Sequence, residues 1–105
     1  LQAYLNRSIE IPMISPKSTL AEGASVTNPV HAGQILRRMF QGKGRILGAS
    51  EDDILKAYRM AANQGIYCEP TSCLSLTPLL NDKIENIEPV VAIMTGSGYK
   101  TNQIL

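Results

Sequence analysis

Apolar side chains recur at helical spacing in two stretches of this chain. Ala32, Ile35, Leu36, Met39 and Phe40 form the first stripe, with Gln34, Arg37, Arg38 and Gln41 on the opposite face. Asn28 is a good N-cap and Pro29 suits a first helical position, so the helix is expected to begin there and to end at Gly42 and Gly44. The second stripe is Ile54, Leu55, Tyr58, Ala61 and Ala62. Ser50 caps it, Glu51, Asp52 and Asp53 sit where the helix dipole favours negative charge, and Gly65 stops it. Residues 70–80 predict a third helix, apolar nearly all round and therefore buried, which Pro78 kinks or ends.

Between the helices lie short extended candidates. Residues 1–18 are an irregular lead-in, broken by Pro12 and Pro16, with at most an edge strand over Ile9–Ile14. Thr19–Val26, Arg45–Ala49 and the link Ile66–Cys68 are further extended segments. After a polar connection over Asn81–Glu88, the run Val90–Met94 is continuously apolar, as in a strand buried on both faces. Alternating strands and helices predict the α/β class: part of a mainly parallel open sheet with flanking helices.

Composition narrows the functional classes. With 105 residues there is room for one domain, and 44% hydrophobic against 18% charged residues favours a folded chain over disorder. Ten basic and nine acidic side chains leave a charge of +1, without the basic stripe of a nucleic-acid binder. No apolar run reaches the ~18–20 residues that span a bilayer, so no membrane partner is expected. Two cysteines make no disulfide scaffold, which points to the cytoplasm. The chain opens on Leu1 rather than Met, so it is expected to be part of something longer.

Few residues carry candidate chemistry. Thr95-Gly96-Ser97-Gly98 follows the most apolar segment; its glycines let a ligand approach the backbone and its hydroxyls can orient it, although a plain tight turn explains the pattern equally well. Glu69-Pro70-Thr71-Ser72 opens the buried helix, where a carboxylate either caps the helix or faces a ligand, with capping preferred. Cys68 and Cys73 have one histidine in the whole chain to join them, too few ligands for zinc, and no metal is predicted. His31 has no acidic or thiol neighbour in sequence, and Gly42-Lys43-Gly44-Arg45 lacks the order of a Walker loop.

Three stretches in order, 19–29, 50–72 and 90–100, resemble the C-terminal part of fold-type II pyridoxal-phosphate enzymes, threonine synthases in particular. The counterparts are Thr19-Leu-Ala-Glu-Gly, an N-P-initiated helix at Asn28-Pro29, an acidic-start helix at Asp52-Asp53-Ile54-Leu55 closing on Gly65-Ile66, the turn Glu69-Pro70-Thr71-Ser72, and Thr95-Gly96-Ser97-Gly98-Tyr99-Lys100. The resemblance implies that residues 1–105 are a single C-terminal fragment of the cofactor-binding large domain of a lyase or transferase of amino-acid metabolism. It also implies pyridoxal 5'-phosphate as cofactor of the parent protein, an amino-acid substrate, the remaining N-terminal part of the enzyme as partner, and a homo-oligomer. By the same resemblance Thr95 hydrogen-bonds the pyridine nitrogen, Gly96 and Gly98 make room for the ring edge, Glu69 lies near the ring, and Glu22 and Gly23 line its face.

Departures from threonine synthases bear on the substrate. Glu22 is more like the amino-acid dehydratases, Tyr99 replaces the usual Leu, and Cys73 the usual Ala. A 2-amino-4-ketopentanoate thiolase beta subunit and a threonine dehydratase are therefore the alternatives within the enzyme reading. Outside it stands a non-catalytic truncated module that docks on a partner domain or self-associates.

None of Lys17, Lys43, Lys56, Lys83 or Lys100 stands in the family's Schiff-base context, so no catalytic residue is assigned to this segment and the chain alone should be inactive. Adding cofactor to the chain, reducing with borohydride and mapping peptides by mass should yield no stoichiometric adduct at one lysine; a unique modified lysine would overturn that expectation.

Overall fold

The computed structural model describes residues 1–80 and 89–100. Among these residues the order is α1 (Gln2–Leu5), a 3-10 turn at Glu22–Ala24, α2 (Ala32–Phe40), α3 (Glu51–Asn63), α4 (Pro70–Cys73), α5 (Thr77–Leu80) and a 3-10 turn at Gly98–Lys100. The chain divides into two units, one of Leu1–Lys17 with Ser25–Gly48, the other of Ser18–Ala24 with Ala49–Leu105.

In the first unit α1 packs on α2. The Tyr4 and Phe40 rings stack with centroids 5.9 Å apart and planes 6° from parallel. Ala3 and Leu36 are buried, and beside them an apolar groove of about 180 Å³ runs between Leu1, Ile11, Ile35 and Ile46. Pro29 opens a turn rather than the helix: its carbonyl accepts the Ala32 N–H at 3.1 Å, and regular helix begins three residues later than the N-P pair predicts. The end falls where the glycine requires it. Gly42 has φ +72°, its N–H bonds to Met39 O at 3.0 Å, and the Lys43 N–H reaches Arg38 O at 3.2 Å, which together make a Schellman motif.

The second unit is built on α3. Ser50 Oγ accepts the Asp53 N–H at 3.1 Å while the Asp53 carboxylate accepts the Ser50 N–H at 3.0 Å, a reciprocal box that satisfies two orphan donors. Asp52 pairs with Lys56 at 2.6 Å, one turn apart on the exposed face, where an ion pair adds little. At the other end Gly65, φ +75°, repeats the Schellman closure with Ala62 and Ala61. The face between these caps buries Ile54, Ala57, Tyr58 and Ala61. Ala57 replaces Leu55 and Ala62 of the expected stripe, both of which are half-buried. Cys68 and Cys73 complete this core, and Tyr67, Leu76, Leu80 and Met94 pack around it.

The third predicted helix is divided. Pro70 opens α4 at its first turn, where a missing N–H is harmless. From Leu74 to Thr77 the N–H groups bond three residues back, to Thr71, Ser72, Cys73 and Leu74, at 3.0–3.4 Å. Pro78 has no N–H to continue a four-residue ladder through Leu74, so α5 starts afresh with Pro78 in its first turn.

The α/β expectation is corrected. Among the described residues there is no strand and no sheet, only an isolated antiparallel bridge between Cys68 and Ser97. Ile9–Ile14, Arg45–Ala49 and Val90–Met94 therefore form no part of a parallel sheet. A helix closes its hydrogen bonds within itself, whereas a strand needs a neighbour, and an apolar run by itself does not supply one. Along 91–96 exposure alternates with period two: Val91, Ile93 and Thr95 face outward, while Ala92, Met94 and Gly96 are half-buried. One face is covered, not two; Val91 is 84% exposed and Ile93 72%. The polar connection 81–88 lies outside the described residues. Among those described, no helix is long and apolar enough to cross a membrane.

Ser50→Ala should destabilise the chain by about 1 kcal/mol, because it removes the acceptor for the Asp53 N–H and one half of the box. The melting temperature, followed by circular dichroism, should fall by about 4–8 °C, and Ser50→Thr should restore most of it.

Candidate functional site

The site residues named from the sequence come from three segments, and hydrogen bonds hold those segments together. The first is fastened by Glu51 at the start of α3. Its carboxylate accepts the Thr19 hydroxyl at 2.5 Å and the Leu20 N–H at 2.8 Å. Thr19 Oγ1 in turn accepts the Ala21 N–H at 3.1 Å, which starts the turn at Glu22–Ala24. These bonds hold the Glu51 carboxyl below its ordinary range, the Thr19 hydroxyl contributing most and the Leu20 N–H next, against a small desolvation effect. Glu51 thus acts as an anchor for a loop, beyond the dipole role its position suggests.

The turn then reaches α4. Gly23 donates its N–H to Thr71 Oγ1 at 3.1 Å, and a Cβ on Gly23 would press on that hydroxyl at 3.0 Å. Any larger residue there would need the Thr71 side chain to give way by a few tenths of an ångström. Glu22, next to it, is exposed.

The third segment also meets α4. Glu69 N–H donates to Gly96 O at 3.1 Å and Gly98 N–H to Tyr67 O at 3.2 Å, on either side of the Cys68–Ser97 bridge. Ser72, 2% exposed, stands behind this ladder. The Gly96 N–H donates to Ser72 Oγ at 2.7 Å, and the same oxygen lies 3.2 Å from Thr95 Oγ1 and 3.3 Å from Gly96 O. Ser75 helps to hold Met94, donating to Ser72 O at 2.8 Å with Met94 Sδ at 3.5 Å.

Both glycines of the turn face side chains of this chain. A Cβ on Gly96 would collide with the Glu69 carboxylate, and one on Gly98 would meet the Tyr67 ring at 3.0 Å. Glu69 occupies the N-cap position of α4 but makes no capping bond with its side chain; the carboxylate is laid against Gly96 instead. The Tyr67 ring is edge-on to Tyr99, with centroids 5.1 Å apart. Gly23, Glu69, Thr95, Gly96 and Gly98 are therefore gathered around residues 67–72, and Thr95 presents its side chain at the surface. Sequence reasoning quoted Thr71 and Ser72 without assigning them a role. Two hydroxyls immediately after a proline at a helix start were the available signal.

The thiols belong to the core. Cys68 Sγ and Cys73 Sγ touch at 3.3 Å, and burial, with the neighbouring Cys68, pushes the Cys73 thiol up to about 12. Such a group is neither a ready nucleophile nor a ready metal ligand. Among the described residues no three histidine, cysteine or acidic side chains gather as a metal site.

Comparison with known proteins finds threonine synthases. That of Synechocystis sp. is 33% identical over 90 residues, covering 83% of this chain and 24% of that protein. The threonine synthase of Bacillus sp. (strain ULM1) is 33% identical over 97 residues, 88% of this chain and 28% of the relative. That of Mycobacterium bovis is 32% identical over 92 residues, 83% and 26% respectively. The chain thus spans about a quarter of the length of the curated relatives it matches. No family model matches it, and neither does any solved structure. These relatives support the resemblance read from the sequence, that of a threonine synthase-like C-terminal segment of a longer pyridoxal-phosphate enzyme.

The depressed Glu51 carboxyl makes a pH prediction. Its folded value lies below the unfolded one, so the anchor contributes fully above the ordinary carboxylate range and is lost as pH falls through the folded value. Urea unfolding of the wild type and of Glu51→Gln should therefore differ at neutral pH and converge in acid. A gap that stays constant with pH would show that ionised Glu51 is not what holds residues 19–20.

Proposed function

We propose that this chain is the C-terminal segment of a pyridoxal-phosphate-dependent, threonine synthase-like enzyme and supplies the pyridine-nitrogen side of the cofactor pocket. The observation that carries this reading is convergence. Gly23, Glu69, Thr95 and Gly96 come from segments tens of residues apart, and hydrogen bonds through Thr71 and Ser72 gather them into one patch. The likeness to threonine synthases supports pyridoxal phosphate as the ligand of this patch.

The donor set fits the far edge of such a cofactor, and only that edge. When bound, pyridoxal phosphate supplies an electron sink for amino-acid chemistry. Thr95 offers an alcohol, which donates to an unprotonated ring nitrogen but cannot hold a pyridinium as a carboxylate would. A ring kept nearer neutral suits elimination and replacement. Glu69 is laid against Gly96, near the same edge. The lysine and the phosphate loop would come from the remaining part of the enzyme, and the substrate would be an amino acid handled in the cytoplasm.

The exposed apolar side chains favour assembly. Val91, Ile93, Met13 and Val30 are each more than two-thirds exposed, as expected of surfaces covered by the rest of the enzyme or by another copy. The same observation supports the alternative of a non-catalytic module that docks or self-associates. An upstream reading frame with a serine-x-lysine motif and a glycine-rich phosphate loop would decide for the enzyme.

In the full-length enzyme, Thr95→Val keeps the volume and removes the donor, an expected loss of about 1–3 kcal/mol. Turnover should fall by roughly 10- to 100-fold, while Thr95→Ser should be mild. Equal turnover for the two variants at full cofactor occupancy, checked by absorbance, would make Thr95 a turn residue and remove the proposed contact.

A further inference from the structure

We propose that Ser72 is a positioning residue that turns Thr95 into a hydrogen-bond donor toward a ligand, by donating its own hydroxyl hydrogen bond to Thr95 Oγ1. This rests on the cofactor-edge reading above.

A serine hydroxyl has one proton to give and two lone pairs to receive with. One lone pair of Ser72 is engaged by the Gly96 N–H at 2.7 Å, the shortest contact in the cluster. Its proton has two candidate acceptors, Thr95 Oγ1 at 3.2 Å and Gly96 O at 3.3 Å. Gly96 O already receives the Glu69 N–H at 3.1 Å. If Ser72 donates to Gly96 O, the Thr95 proton points back at Ser72, and Thr95 offers a ligand only lone pairs. If Ser72 donates to Thr95 Oγ1, the Thr95 proton is released outward.

A ligand with an unprotonated ring nitrogen selects the second state. The chain of donors then runs from Gly96 N–H to Ser72 Oγ, to Thr95 Oγ1, to the ring nitrogen. Each bond polarises the next in the same sense. Ser72 is buried, and Thr95, which is exposed, is the end of the chain that a ligand can reach. The first state remains available to a ligand that donates, so Ser72 makes the site sensitive to whether the ring nitrogen carries a proton.

The test uses the apo form of the full-length enzyme and two probes that form no covalent bond with it. These are pyridoxine 5'-phosphate and its 1-deaza analogue, in which carbon replaces the ring nitrogen. Dissociation constants are measured for wild type, Thr95→Val, Ser72→Ala and the double variant. Thr95→Val should weaken the nitrogen-bearing probe by about 10-fold and leave the deaza probe little changed. Ser72→Ala should do the same, and the double variant should lose no more than either single one, because both cut the same chain. Ser72→Thr, which keeps the hydroxyl, should bind the nitrogen-bearing probe better than Ser72→Ala.

If Thr95→Val does not distinguish the probes, the cofactor-edge reading falls and this proposal with it. If it does distinguish them while Ser72→Ala weakens both probes equally, weakens neither, or adds fully to Thr95→Val, the reading survives and the proposal is overturned. Should the alanine variant fail to fold, Ser72→Cys retains a weaker donor, and its loss should again be confined to the nitrogen-bearing probe; loss of both probes equally would be a structural effect.

Discussion

The Gly96 amide proton goes to Ser72 Oγ at 2.7 Å, and the arrangement of the candidate site depends on that bond. It fixes the turn at Gly96 to a one-turn helix that could hardly stand alone. Around it the Glu69–Gly96 and Gly98–Tyr67 backbone bonds close a short ladder. Ser72 is held in turn by its place on α4, whose next residue, Cys73, is fully buried against α3. The order of dependence runs from the apolar face of α3, through the thiol pair, to Ser72 and then to Thr95.

The glycines have a meaning that follows from this packing. Gly23 lies against Thr71, Gly96 against Glu69 and Gly98 against Tyr67. In each case the missing side chain makes space for a neighbour from residues 67–71. A Cβ on Gly96 would fall on the Glu69 carboxylate.

Ser50 and Glu51 show how neighbouring polar residues can divide their duties. Both sit at the start of α3, where either could serve the helix terminus. Ser50 does so, with Asp53, inside the capping box. Glu51 instead reaches a segment thirty residues earlier in the chain and fastens Thr19 and Leu20. That bond, with Gly23 to Thr71, places residues 19–24 beside α4.

The sequence alone determined what local physics controls. The cap at Ser50, the glycine stops at 42 and 65, most of the buried side of α3 and the proline at the head of α4 each depend on residues within one turn of each other. Their rules are stereochemical and carry over from chain to chain. The motif order that resembles threonine synthases was legible for the same reason, being a linear property. Only the tertiary structure decided whether Val90–Met94 has a ladder partner, because strand bonds are made to residues far along the chain. Pro78, read from the sequence as a kink or an end, divides the predicted helix into two. The tertiary structure also gave Ser72 its place between Gly96 and Thr95, twenty-odd residues away, where a hydroxyl that looked like part of a helix start receives one amide proton and stands beside a second hydroxyl.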